Sequence, residues 1–444
     1  MAMTSSDKPF RAPASPSPEA RSELASTGET VDALIPPPTT PAGPRLVVPM
    51  AAAQFGLFVA LLTPVFASLT IKVQSLVPAN QVVTAVATVT TFGAVAAFVA
   101  NPIFGRLSDV STGRFGRRRP WLLIGALGLT LSLLLVAVAP DVATVVLAWF
   151  LAQMCGNAAL AAYTATMADQ IPPVQRGKIS GVIGVMQNLA VLAAAYVAVF
   201  LGAHVISLFL IPALVGLVLV VLLVIVLPDK PLPHRPHVAG GGLRTALMTF
   251  WVNPRKHRDF AWAWVSRFLI VLASFMFATY RLLYLEDRFG YTTAKATAAM
   301  ATGVLIYTVG LVIAAQLAGW ASDRTHRRKV FVLVSAMIFA VGTLVLVGVQ
   351  SLGSFYLAEG VLGIGFGAYM GVDLALVIDV LPNPDDSAKD LGVLNIANAG
   401  PQAIAPGFAA VLVNISGHYN LMITVAAVIC ALGALAILPV RKVR

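Results

Sequence analysis

Gly105-Arg-Leu-Ser108-Asp109-Val-Ser-Thr-Gly-Arg114-Phe-Gly-Arg117-Arg118-Arg119-Pro-Trp121 lies between two long apolar runs. A shortened copy, Gly319-Trp-Ala-Ser322-Asp323-Arg-Thr-His-Arg-Arg328-Lys329, returns at an offset of 214 residues. A second landmark agrees. Asp169-Gln-Ile-Pro172 closes one apolar run and Asp379-Val-Leu-Pro382 closes another, at an offset of 210. A short basic connector between apolar segments, occurring twice, describes a chain made of two equivalent halves.

Working outward, the 444 residues are 58% hydrophobic and 11% charged, with a mean hydropathy of +0.85. Soluble domains carry about 25% charged residues, so the solvent for most of this chain is a bilayer. Twelve apolar segments follow one another, at about 46–70, 81–107, 120–139, 142–168, 179–203, 205–227, 259–284, 295–320, 329–349, 354–380, 391–414 and 419–439. Each is expected to cross about 30 Å of hydrocarbon as a helix. The fold class is therefore an all-α integral membrane protein, with twelve transmembrane helices in two pseudo-symmetric six-helix halves. The domains expected are a disordered tail over 1–44, a first half over 45–227, a linker over 228–258 and a second half over 259–444. The tail is rich in Pro, Ser, Ala and Thr and cannot bury enough surface to offset its ordering entropy.

The net charge of +11 raises nucleic acid as a partner, but the placement of the charges argues against it. Of 30 Lys and Arg, 25 lie in the tails and alternate connectors, four (Lys72, Arg281, Arg288, Lys295) fall on the opposite side, and Arg267 lies within a span. By the positive-inside rule both termini are cytoplasmic, in a multi-pass protein of the inner (plasma) membrane. Cys155 and Cys430 sit in separate apolar runs with no metal-ligand spacing and read as packing residues. The sequence carries no Gly-x-x-x-x-Gly-Lys-Ser/Thr phosphate loop. Neither a cofactor nor an enzymatic activity is expected.

Charge and amides inside the spans are the candidate site. An arginine in hydrocarbon costs at least ~2.5–3.5 kcal/mol, so Arg267 must face protein or water and find a partner. Asp373 is the natural one: both lie seven or eight residues from the cytoplasmic face, roughly 12 Å deep at ~1.5 Å per residue. The pair either binds solute or exchanges a proton, or is a static ion pair. Glu359, nearer the outer face, is a second protonation candidate within the same Arg267-centred network. Gln54, Gln153 and Asn157 are read as solute contacts, with Tyr163, Tyr280, Trp264 and Tyr369 as aromatic faces. Asn395, Asn398 and Gln402 are read as bonds between helices. Asp109, Arg117 and Arg118 form a candidate gate, with Asp169, Asp323 and Asp379 as gating or loop-structuring groups.

The basic connector after the second span resembles the signature of the major facilitator superfamily, and the resemblance extends over all twelve spans. Ser108-Asp109, Arg114 to Trp121 and the stretch Ala168-Asp169-Gln-Ile-Pro-Pro-Val-Gln-Arg176-Gly177 look most like the sucrose and other glycoside transporters. The resemblance implies that spans 1, 4, 7 and 10 line a central cavity. It also implies that the Asp109 latch forms when the cytoplasmic side closes. The chain departs from that branch in two places. Asn101 and Ala97 stand where cation-coupled glycoside carriers have carboxylates, and Thr164 stands where sucrose carriers have arginine. The function expected is secondary active transport of a small polar solute, a sugar, coupled to protons by alternating access. A proton-driven exporter of small organic molecules is the alternative, and a non-transporting membrane sensor of the same fold is a third reading.

Overall fold

A computed structural model describes residues 38–202, 204–229, 231, 255–380 and 387–441, apart from a few side chains, Asn395 among them. Most of the expected tail and linker lies outside the described residues. The twelve expected spans are helices, in chain order: α1 Pro44–Gln74, α2 Ala79–Asp109, α3 Arg119–Val138, α4 Val142–Gln170, α5 Pro173–Leu201, α6 Val205–Val226, α7 Arg258–Phe289, α8 Thr293–Thr325, α9 Arg328–Val345, α10 Leu352–Asp379, α11 Ser387–Ser416 and α12 Tyr419–Leu435. Eleven are long and apolar enough to cross a membrane. The exception is α12, whose 17 residues span about 26 Å, short of the crossing expected from its sequence.

Local chemistry sets several boundaries. Pro44, Pro120 and Pro173 open α1, α3 and α5, where a missing N–H costs nothing. The Asp141 carboxylate accepts from the Thr144 N–H and caps α4 (2.8 Å). Pro64 cannot donate within α1, and the helix widens into a π turn over Pro64–Ser68.

The packing repeats at an interval of six helices. α1 packs on α5 and α6, and α7 on α11 and α12; α2 packs on α4, and α8 on α10; α3 packs on α4 and α6, and α9 on α10 and α12. Between the halves, α2 meets α11 and α5 meets α8, which is the same relation seen from either side. Small residues permit the closest approaches. Gly363, Gly367 and Gly371 of α10 lie against the carbonyls of Tyr307, Leu311 and Ala315 of α8; a Cβ on each would come within 2.2, 2.2 and 2.3 Å of these oxygens. The two helices therefore pack backbone to backbone, as small-residue spacing at i, i+4 allows.

The four cations expected opposite the basic connectors are all engaged. Lys72 Nζ donates to the Ala137 carbonyl (2.9 Å) at the end of α3, and Arg288 Nε to the Val349 carbonyl (2.7 Å) just past α9. A cation at a helix C-terminus meets both orphan carbonyls and the negative end of the dipole. Lys295 Nζ sits 3.9 Å over the Tyr291 ring. Arg281 differs from the expectation: it is buried within the bundle and pairs with Glu359.

Hydrogen bonds from Gln74 to Glu286 (2.5 Å), from Tyr280 to the Val83 carbonyl (3.4 Å) and from Asn414 to Thr84 (2.9 Å) join the two halves. All three lie at the end away from the basic connectors.

Candidate functional site

Arg267 follows two turns of α7, and Asp373 precedes the last two turns of α10. The helices run antiparallel, so equal depth brings the two together. Arg267 Nη1 pairs with Asp373 Oδ2, and Arg267 Nε donates to Asn398 Oδ1 of α11 at 2.8 Å. Asn398 thus does more than tie α11 to its neighbour: it completes a cluster on three helices. Its amide in an apolar span was visible in the sequence, but nothing there tied it to Arg267. Trp264, one turn earlier on the chain, donates its Nε1–H to the Val393 carbonyl of the same α11 (2.9 Å) and stacks on Phe268.

Glu359 is not part of that cluster. It is fully buried and lies 3.0 Å from Arg281 Nε. The two pairs share one register, since Arg267 and Arg281 are 14 residues apart on α7, as are Glu359 and Asp373 on α10. At ~1.5 Å per residue they are two rungs about 21 Å apart, on helices that otherwise scarcely touch. The expectation of one Arg267-centred network holding both carboxylates is therefore corrected to two separate ionic sites. Arg281 is the residue that sequence reasoning misplaced. The matched 14-residue spacing was the signal that could have found it.

The N-terminal half contributes neutral polar groups. Gln54 is buried, and its Oε1 has no hydrogen-bond partner among the described residues. Asn157 Nδ2 donates to the carbonyl (2.9 Å) and the side-chain oxygen (3.1 Å) of Gln153, one turn earlier on α4. Two of the aromatic candidates are committed elsewhere in this conformation. Tyr163 donates to the Met50 carbonyl (2.9 Å) and ties α4 to α1. Tyr280 donates to Pro406 (2.8 Å) and Val83 carbonyls, bridging the halves at the far end. Tyr369 is buried one turn before Asp373.

At the basic end, Arg118 pairs with Asp109 (2.7 Å) and with Asp169 (2.7 Å), and also donates to Ser108 Oγ (2.8 Å). Arg117 pairs with Asp169 (2.6 Å). The second half repeats this with one arginine, Arg328, between Asp323 (3.4 Å) and Asp379 (2.5 Å). These pairs fasten α2, α3 and α4, or their counterparts, inside one half. A further carboxylate caps α3. Asp229, just past α6, accepts from the backbone N–H groups of Arg118 (2.6 Å) and Arg119 (2.9 Å) at the start of α3. Gly116, at φ 99°, makes room for it.

Two matched six-helix halves with buried charge between their spans are an architecture found among secondary transporters. The family model of the Major Facilitator Superfamily matches residues 50–310 and 296–444, and the chain belongs to that superfamily. A relative from Bacillus subtilis (strain 168), described as the uncharacterized MFS-type transporter YfiU, is 26% identical over 118 residues; the match covers 27% of this chain and 22% of that protein. The chain thus matches only about a fifth of that relative's length. Among solved structures, a mutant of the nucleoside transporter NupG superposes with a TM-score of 0.71 at 12% identity, covering 88% of this chain and 100% of that one. A bacterial homolog of the human lysosomal transporter Spinster, inward-facing and unoccupied, gives 0.65 at 13% identity over 90% of this chain and 99% of the other. At these identities the likeness concerns the fold alone.

Proposed function

We propose that this chain is a proton-coupled secondary transporter of a small polar solute, in the first instance a sugar, working by alternating access between its halves. The single observation that carries this reading is the buried Arg267–Asp373 pair bridged to Asn398, roughly 12 Å in from the basic end at ~1.5 Å per residue. A guanidinium offers several donors to hydroxyl oxygens, and its carboxylate partner can accept from a hydroxyl or take a proton. Two ligands are linked energetically when both bias one equilibrium, here the rocking of the halves. Gln54, Gln153 and Asn157 of the other half are the amides we assign to a polyhydroxylated solute. The basic connectors are cytoplasmic, the membrane is the plasma membrane, and the bonds at the far end close the outer side in this conformation. The Asp109, Arg117, Arg118 and Asp169 cluster, with Asp323 and Asp379, stiffens each half's cytoplasmic end for the rocking motion.

The sugar assignment rests on the connector's similarity to glycoside transporters. Nucleosides, which carry a sugar ring, belong in the same test because NupG is described as a nucleoside transporter. The test is uptake into proteoliposomes after a pH jump, with labelled sugars, nucleosides and organic acids, comparing wild type with Asp373→Asn. Uptake driven by an inward proton gradient and lost in the variant is the expected result. If no member of the panel moves in either gradient direction, the reading is overturned and a proton-driven exporter takes its place.

A further inference from the structure

The outer rung has features that the inner one lacks. Glu359 is fully buried, and neither of its oxygens has a hydrogen-bond partner among the described residues; Arg281 Nε, though only 3.0 Å away, is not aligned to donate. A buried ionised carboxylate normally gathers several donors. This one is walled by carbon instead. A Cβ on Gly303 would lie 3.2 Å from its Cγ and 2.7 Å from the Phe355 ring. The arginine, by contrast, has a second set of partners where it stands. Its guanidinium carbon sits 5.3 Å from the centre of the Phe277 ring and 5.6 Å from that of Tyr307, within the range of cation–π attraction. The inner arginine is held by an amide and a carboxylate instead.

From this we infer that Glu359 and Arg281 form the proton-exchange site of the transporter, separate from the solute cluster at Arg267, with the Phe277–Tyr307 cradle holding Arg281 whenever Glu359 is neutral. This rests on the proton-coupled reading above and assigns its two ligands to different rungs. The proton adds to a carboxylate oxygen when the far end opens and leaves the same oxygen later, so no other group need change its covalent state. The remaining groups near Glu359 do not compete for that proton. Besides Arg281, the titratable side chains facing it are Tyr284 of α7 and Tyr307 of α8, and the Tyr284 hydroxyl already donates to the Leu346 carbonyl (2.6 Å). α9 has no titratable side chain between Val330 and Val349. A link to the gate is built into the chain, because Arg281 directly follows Tyr280, whose hydroxyl bridges the halves at the far end. Opening that end displaces Tyr280 and exposes the adjacent rung.

The experiment is infrared difference spectroscopy of the purified full-length protein between acid and alkaline buffer, which reads the carboxylic-acid C=O band without needing a known solute. Above the background of the other carboxylates, one component is expected in wild type and in Asp373→Asn and is expected to be missing from Glu359→Gln. Because Glu359→Gln strands Arg281, the doubly neutral Arg281→Met/Glu359→Gln protein is measured beside it. Removing one cradle ring with Tyr307→Leu costs most in the neutral-Glu359 state, where the rings are the main partners left to Arg281. The midpoint should then fall to lower pH by about half a unit or more, whereas Tyr307→Phe, which keeps the ring, should leave it in place. A component that persists in both Glu359 variants, or a midpoint insensitive to Tyr307→Leu, overturns the inference. Absence of gradient-driven uptake in wild type would instead sink the transport reading, whatever the spectra show.

Discussion

Neutralising the inner rung separates a functional ion pair from a merely structural one. In Asp373→Asn the buried Arg267 keeps Asn398, 2.8 Å away in the wild type, as a partner but loses its counter-charge. Stranding one partner of a buried pair costs about 3–5 kcal/mol. Arg267→Met strands Asp373 in the same way. In the double variant Arg267→Met/Asp373→Asn no charge is left, and buried pairs replaced by neutral groups are often no less stable than the original. We therefore expect each single variant to unfold well below wild type in detergent. The double variant should recover most of the difference, giving a coupling of about 5 kcal/mol or more in the cycle. Solute uptake should behave differently: it should be lost in all three proteins, because the double variant restores the fold and leaves the solute without its ligands. Thermal unfolding followed by tryptophan fluorescence, alongside proteoliposome uptake, measures both. A double variant that is stable and transports at the wild-type rate would reduce the pair to a static contact and refute the reasoning.

Three further outcomes follow from the packing. Gly367→Ala puts a methyl where only 2.2 Å is free to the Leu311 carbonyl, and should cost about 1–3 kcal/mol of thermal stability; Gly360→Ala, with 3.5 Å to the Ile306 side chain, is the tolerated control. Asp229→Ala removes the acceptor for two backbone N–H groups at the start of α3 and should destabilise the protein by about 1–2 kcal/mol; an unchanged melting curve would show that water replaces the carboxylate there. Gln74→Ala/Asn414→Ala deletes two of the bonds that join the halves at the far end, and should speed thiol labelling of Val83→Cys in detergent, while equal labelling rates would mean that helix packing alone keeps that end shut.

Much of the fold was legible because its signals are local. A span announces itself by length and composition, and a connector by its charge, whatever the rest of the chain does. The repeat at offsets of 210 and 214 reports the two halves for the same reason. The helices nevertheless extend past the apolar segments; α7 runs to Phe289 and carries Arg281 inside the bundle, although hydropathy ended that span at 284. An arginine a few residues from a span end reads as interfacial until one knows which face of the helix is covered.

The sequence by itself determined the solvent, the number of spans, the twofold plan and the certainty that Arg267 needs a partner, since each follows from the cost of placing particular groups in hydrocarbon. It even ranked Asp373 first, because depth along antiparallel helices is simple counting. Only the tertiary structure decided the rest. It gave Glu359 to Arg281, brought Asn398 to Arg267, turned Tyr280 toward the other half and set Asp229 on the start of α3. Those choices depend on helix rotation and on close approaches such as the Gly363–Gly371 ladder, which are settled by packing between segments distant in the chain and leave no mark on either segment alone.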